Sequence, residues 1–363
     1  MDVLRFGGPW RGFTGSSSRA KVWGMSEHDE DWGAVAAHLA AHGMRLSGAP
    51  QRFAGGLANR NYLITLDGWP AVLRRPPAGP LPPGAHDMAR EHRILSRLAD
   101  ALPVAPRSLH LCEDVAVMGA AFQILEYRPG RVVRAILPDD LADRGAALSE
   151  TMLTTLAAIH AVDTSALGLD GLGRPDGFLG RAVSGWRRRG LAVADAPTTI
   201  VLEELGAWLE AHAVPDGPPT LLHNDFKLDN LILDEVTLAP TAVVDWDQGT
   251  RGDPLFDLAT LLSYWTEVTD PPAMHALQQM PTGAPGFLTR EEAAARYAAL
   301  TGRDLSGFRF HRVLGVLKLG VIFLQLHALH KTGATTDPRY AAFGAVGEGV
   351  LAFGRDVAGG VVF

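Results

Sequence analysis

The sequence has one cysteine, Cys112, in 363 residues, so no internal disulfide can staple it. Its stability must come from packing, and a cytoplasmic protein is expected. It has no excess of positive charge. Lys and Arg number 33 against 40 Asp and Glu, a net charge of −7, so neither nucleic acid nor an anionic membrane is expected as a partner. It also lacks a long unbroken apolar run. The most apolar stretch, residues 313–329, contains Lys318, Gln325 and His327. It falls short of the roughly 20 residues that span a bilayer and reads as a core helix. The first 24 residues have no continuous apolar segment of signal-peptide type. They are rich in Gly, Ser and Arg, and a disordered extension is expected over residues 1–24. What is present is ample apolar material, 47% of the chain, enough for one large two-lobed domain or two ordinary ones. The oligomeric state is not legible.

The chemistry concentrates in residues 221–259, LLHNDFKLDNLILDEVTLAPTAVVDWDQGTRGDPLFDLA. Two short apolar runs, 230–233 and 241–244, suit buried strands. Asp225 and Asn230 crowd the start of the first, and Asp245 and Asp247 follow the second. Two adjacent strands bring these groups to one end of a hairpin. A carboxylate there can take a proton from a substrate hydroxyl. An amide oxygen and a second carboxylate can hold a hard cation, since Mg2+ prefers oxygen and takes few ligands from protein. Phosphoryl transfer needs little more than a base, a metal clamp and positioning. Asp and Asn also start and stop strands at turns, which is the alternative.

HNDFKLDN and VVDWDQGTRGDPLFDLA resemble the catalytic segment of the aminoglycoside phosphotransferase and choline kinase superfamily, small-molecule kinases related in fold to protein kinases. The His-x-Asp-x-x-x-x-Asn pattern is met by His223, Asp225 and Asn230, and the metal-binding Asp of the next strand is matched by Asp245. VLRRPP, RYAALTGRDL and FHRVLGVLKLGVIFLQ are similar to one branch, the bacterial phosphotransferases related to the kinase domains fused to acyl-CoA dehydrogenases. The resemblance implies an α+β, two-lobed protein-kinase-like fold. A nucleotide-binding lobe with a small antiparallel sheet is expected over 25–127. A mostly helical lobe with the catalytic loop and acceptor site is expected over 128–363.

The rest of the chain can be placed on that frame. Residues 26–43 read as a helix capped by Ser26. His38 and His42 sit four apart on it, which is metal-ligand spacing, but with no carboxylate partner at fixed spacing they read as a solvated pair. The loop 54–62 resembles the family's nucleotide-covering loop. Gly55, Gly56 and Leu57 would offer amides to a phosphate and Asn59 a side-chain donor. Arg74 stands where the superfamily carries a lysine. Either residue can pair with phosphates, but Arg does so through a planar fork and Lys as a point charge. Glu91, in a helix over 86–100, is by resemblance the partner that orients Arg74. Glu126 and Tyr127 fall at the hinge, where the backbone would read adenine. Helices are expected over 150–161, 200–212, 291–300 and 308–330. Lys318 and Gln325 would line the acceptor pocket or snorkel. Asp257 is expected to hydrogen-bond the catalytic-loop backbone, beside His223, and Asp253 to cap the next helix.

The implied activity is transfer of the γ-phosphate of ATP, with GTP as the alternative, to a small-molecule hydroxyl, with Mg2+ as cofactor. Asp225 is the expected base, and Asn230 and Asp245 the metal ligands. A hydroxy acid or its acyl-CoA thioester is the favoured acceptor. The alternatives are an aminoglycoside 3′-type phosphotransferase and a catalytically silent nucleotide-binding protein. A metal-dependent hydrolase lacks a paired metal-ligand pattern.

Overall fold

The structure is a computed structural model that describes residues 30–53, 59–77, 86–335 and 337–363. The expected extension at 1–24, the cap at Ser26, and Gly55, Gly56 and Leu57 of the predicted phosphate loop lie outside the described residues.

The first helix, α1 (Trp32–Ala41), begins at Asp31, whose carboxylate accepts from the Ala34 amide at 2.9 Å. It is shorter than the sequence reading because Asp31, one residue before Trp32, supplies the cap. Strands β1 (Leu46–Arg52), β2 (Arg60–Leu66) and β3 (Trp69–Arg75) follow. Helix α2 (Met88–Leu98) is capped by Asp87. Strand β4 (Ser108–Cys112), the short helix α3 (Val115–Met118) and strand β5 (Phe122–Glu126) complete the small sheet. Its order is β1-β2-β3-β5-β4, antiparallel throughout.

Strand alternation decides which residues meet the cleft. Leu73 on β3 and Phe122 and Ile124 on β5 join Val35 and Leu39 of α1 in one apolar cluster. Val72 and Leu125, of opposite parity, pack instead with Ile94, Leu95 and Leu98 of α2, in the cluster that continues into the helical part. Arg74 and Gln123 share that second parity and face α2. Arg75 faces the other way and pairs with Glu30 beside the Met118 carbonyl.

The chain leaves the sheet through residues 127–130 and is pinned at once to the hairpin over 231–243. The Arg131 and Leu233 backbones exchange two hydrogen bonds of 2.8 Å. Gly130, at φ +145°, lies so close that a Cβ there would meet the Leu233 carbonyl oxygen at 2.4 Å, so glycine is required. Beyond lie α4 (Gly145–His160), α5 (Phe178–Leu191) and α6 (Ala196–Ala211). Then come β6 (Thr220–Leu222), β7 (Leu231–Leu233), β8 (Pro240–Val243) and β9 (Thr250–Gly252). β7 pairs with β8, and β6 pairs with β9, a ladder the sequence reading missed. The remaining helices are α7 (Pro254–Tyr264), α8 (Pro272–Ala276), α9 (Arg290–Thr301), α10 (Phe308–Lys331) and α11 (Arg339–Gly359). Of the described residues, α10 alone is long and apolar enough to cross a membrane by length and composition. It is the core helix the sequence predicts, buried from Phe308 to Val321 with few breaks and packed on α5, α7 and α11.

Candidate active site

The two short ladders hold the catalytic segment from both ends. β6 ends at Leu222 and β7 starts at Leu231, so residues 223–230 form a loop clamped between β9 and β8. Asn230 accepts on its carbonyl from the Val244 amide at 2.9 Å, which sets it beside Asp245 across the hairpin. Asn224 and Asp245 take left-handed backbone, φ +70° and +71°. For non-glycine residues this conformation costs about 1–2 kcal/mol. At Asp245 it ends the extended run and turns the chain as it leaves β8.

Asp225 lies between two donors. Tyr264, the last residue of α7, donates its hydroxyl to Oδ1 at 2.8 Å, and Lys227 donates to Oδ2 at 2.7 Å. The Asn230 side-chain amide donates to the Asp225 carbonyl at 2.9 Å, which leaves the Asn230 amide oxygen as its remaining polar atom. Burial and the Asp225 charge hold Tyr264 well above the ordinary phenol pKa. Burial opposes the charge on Lys227, but Asp225 outweighs it and keeps the ammonium protonated.

Arg74 reaches this hairpin from β3. Its Nε donates to Glu91 at 2.8 Å and its Nη2 to Asp245 Oδ1. Glu91 is fully buried and accepts from two more donors, the Gln123 side chain and the Trp246 amide at 3.0 Å. Burial and the nearby Asp245 and Asp247 push Glu91 up to about 7 against the pull of Arg74. Burial also raises Asp245, with Arg74 working against it. Asn59 donates to Asp247 at 3.3 Å and contacts His86 at 2.9 Å. Burial would raise Asp247, but His86, Arg74 and Asn59 prevail and lower it.

Under the loop sits Asp257 of α7. It is fully buried and accepts from the His223 amide at 2.7 Å and the Asn224 amide at 2.8 Å, with His160 Nε2 at 3.2 Å. Burial alone would raise its pKa, but His160, His223 and Lys318 outweigh burial and lower it. The Lys318 ammonium donates to the Asn224 carbonyl and lies 3.4 Å from the Thr260 hydroxyl. Burial lowers Lys318 to about 8, against Asp225 and Asp257. This corrects the sequence reading of Lys318 as a pocket-lining or snorkelling residue. Its side chain is buried and props the loop from below.

The donor set suits a hard cation. Asn230 keeps its amide oxygen, Asp245 keeps Oδ2 beyond its pair with Arg74, and no thiol or imidazole is among them. The sequence model of the phosphotransferase enzyme family (APH) matches residues 50–296, which include every group just described except Lys318. The chain belongs to this family.

Membership makes the protein a phosphotransferase with an alcohol group as acceptor. Acyl-CoA dehydrogenase family member 10 of Mus musculus is 31% identical over 310 residues, 85% of this chain and 29% of the mouse protein. Acyl-CoA dehydrogenase family member 11 of Gallus gallus is 37% identical over 236 residues, 61% of this chain and 30% of that protein. The chain thus spans less than a third of either relative's length. A provisionally named aminoglycoside phosphotransferase from Ralstonia eutropha superposes with a TM-score of 0.73 at 25% identity, covering 91% of this chain and 99% of that one. The phosphotransferase APH(4)-Ia, in ternary complex with AMP-PNP and hygromycin B, gives 0.58 at 18% identity, covering 90% and 99%. The latter shares the fold.

Of the residues singled out from the sequence, Asn59, Arg74, Glu91, His223, Asp225, Asn230, Asp245 and Asp257 gather around the hairpin. Glu126 and Tyr127 stand apart at the end of β5. The Glu126 amide is already given to the Arg107 carbonyl at 2.8 Å, so this N–H is not free to read a base. Its carboxylate holds Arg107 and Arg128. Sequence reasoning brought Asp247 to the hairpin but gave it no role, and it missed Lys227, Tyr264, Gln123 and His86 as site residues. Lys227 lay in plain view, two residues past Asp225. Tyr264 carried no local signal, because only the fold of α7 brings it within reach.

Proposed function

We propose that the protein transfers the γ-phosphate of ATP to a hydroxyl on a small acidic molecule, a hydroxy acid or its acyl thioester. The observation that carries this reading is Asp225, hydrogen-bonded at both carboxylate oxygens and set beside Asn230 and Asp245 on one hairpin. Asp225 orients the acceptor hydroxyl and takes its proton. Tyr264 and Lys227 fix the carboxylate, and Lys227 adds positive charge where the phosphoryl group would pass. Arg74, anchored by Glu91, is placed to meet the nucleotide phosphates. Asn230 and Asp245 would hold Mg2+, which when bound neutralises charge on the phosphates. In this reading residues 25–127 bind nucleotide and 128–363 carry the acceptor site.

The acidic acceptor is favoured by how the carboxylates of the helical wall are spent. An aminoglycoside brings several ammonium groups and needs free acids to meet them. Glu267 and Asp270 are paired with Arg290, and Glu292 closes a capping box with Thr289. Lys227, paired with Asp225, adds a positive charge beside the base. The test is ADP release across a panel of alcohols, hydroxy acids, their thioesters and aminoglycosides, with Asp225→Ala as control. General-base catalysis is worth about 10² to 10⁴-fold, so the variant should lose at least about 100-fold in kcat while still binding nucleotide. Turnover of aminoglycosides alone, or near-full activity of Asp225→Ala, would overturn the reading.

A further inference from the structure

On the α1 side of the small sheet, opposite Arg74, three imidazoles converge. His38 and His42 lie one turn apart on and just after α1, and His110 stands on β4, the edge strand. One ring nitrogen of each lies within 4.8 Å of the other two. Nε2 of His38 and Nε2 of His110 are 2.9 Å apart. His42 Nδ1 bonds the His38 carbonyl at 2.8 Å, and a carbonyl accepts only, so the proton is on Nδ1 and the lone pair on Nε2. Cys112, two residues along the same face of β4, donates its thiol to the Asp114 carbonyl at 3.7 Å. Its sulfur then receives Nδ1 of His38 at 4.0 Å, which frees the His38 Nε2 lone pair as well. Such outer contacts, here orienting His38 and His42 through the second nitrogen, typify metal-bound histidines.

We propose that His38, His42 and His110 form a binding site for a zinc-class divalent cation, with water as the fourth ligand. Three imidazoles with no carboxylate among them select Zn2+, Ni2+, Co2+ or Cu2+ over Mg2+ and Ca2+. A tetrahedral ion with Zn–N bonds of about 2.0–2.1 Å needs nitrogens about 3.3 Å apart. The observed separations, from 2.9 Å to at most 4.8 Å, bracket that value. His42 is exposed and gives the ion a path from solvent. In the 2.9 Å contact between His38 and His110 one Nε2 donates to the other, and the cation would displace that proton and take both lone pairs. The ion would clip α1 to the sheet's open edge, joining His38 to a residue 72 positions further along the chain, and lies apart from the phosphoryl-transfer site.

The test uses the untagged full-length chain with excess Mg2+ present, so that oxygen donors are occupied. Calorimetric titration with Zn2+ should give one ion per chain and a rise in Tm, and Co2+ should give the intense visible bands of a tetrahedral site. His110→Asn and His42→Ala should each weaken Zn2+ binding at least about tenfold and abolish the rise in Tm, with phosphotransfer unchanged. His42→Ala alters an exposed side chain and keeps the fold, so it carries the test if His110→Asn loosens the sheet. Equal Zn2+ affinity in His110→Asn would mean chelation by the helix pair alone and would refute the three-histidine site. So would the absence of stoichiometric binding by the unaltered protein.

Discussion

Replacing Asp257 tests whether one carboxylate suspends the catalytic loop. It is fully buried and receives the amides of His223 and Asn224. In Asp257→Ala both N–H groups lose their partner in a dry site. Each orphaned group costs about 1–3 kcal/mol, so the sum is about 2–6 kcal/mol. That is a large part of the 5–15 kcal/mol typical of a folded domain. Asp257→Asn keeps one acceptor oxygen and turns an NH2 toward the second amide, so it should recover about half the loss. The sign of the pH dependence follows from the lowered pKa of Asp257. A carboxylate depressed on folding contributes stability that is present above its unfolded pKa, about 3.9, and is lost as pH falls through the folded value. The Asn variant should therefore lose less stability than the parent as pH drops below about 4. Urea denaturation across pH, read with kcat and the nucleotide KM, checks both parts. Because the tether acts on the loop, kcat should fall with KM for nucleotide nearly unchanged. Stabilities of both variants within about 0.5 kcal/mol of the parent would refute the argument.

The remaining contacts give sharper expectations for single positions. Arg74→Met strands Glu91 and Asp245 without their shared cation. Breaking a buried pair costs about 3–5 kcal/mol, measurable as a lower urea midpoint, whereas Arg74→Lys should keep much of the stability but raise the nucleotide KM about tenfold by losing the two-pronged contact. Tyr264→Phe removes one hydrogen bond to Asp225 and should lower kcat about five- to tenfold, matching about 1–1.5 kcal/mol, with nucleotide affinity by calorimetry unchanged. Asp245→Ala should weaken Mg2+-dependent nucleotide binding while leaving metal-free binding alone; equal loss in both conditions would place Asp245 elsewhere in the reaction.

The fold and the centre of the site were legible because they are written in short-range chemistry. The spacing His223, Asp225, Asn230 and the Asp245 that follows β8 sit on local strands and turns. Parity along β3 similarly separates Arg74 from Arg75. What the sequence hid depends on long-range packing. Tyr264 reaches Asp225 only because α7 runs back beneath the loop. His110 joins His38 and His42 only because β4 is the edge strand against α1, so a pair that reads as solvated gains a third ring from far downstream. Lys318 looked like an amphipathic residue on an apolar helix. Its burial becomes intelligible only when the Asn224 carbonyl is seen above it. The cap of α1 moved from Ser26 to Asp31 because several acidic residues precede Trp32, and pattern alone does not rank them.

The contact between Lys318 and Asn224 carries an evolutionary consequence. In the proposed function, α10 belongs to the lobe that carries the acceptor site, and through Lys318 it also supports the reaction centre. Replacing α10 wholesale with that of a relative would therefore disturb turnover before it altered selectivity. New acceptor preferences in this lineage are expected to arise away from the residues that support the 223–230 loop, with position 318 held fixed while its surroundings drift.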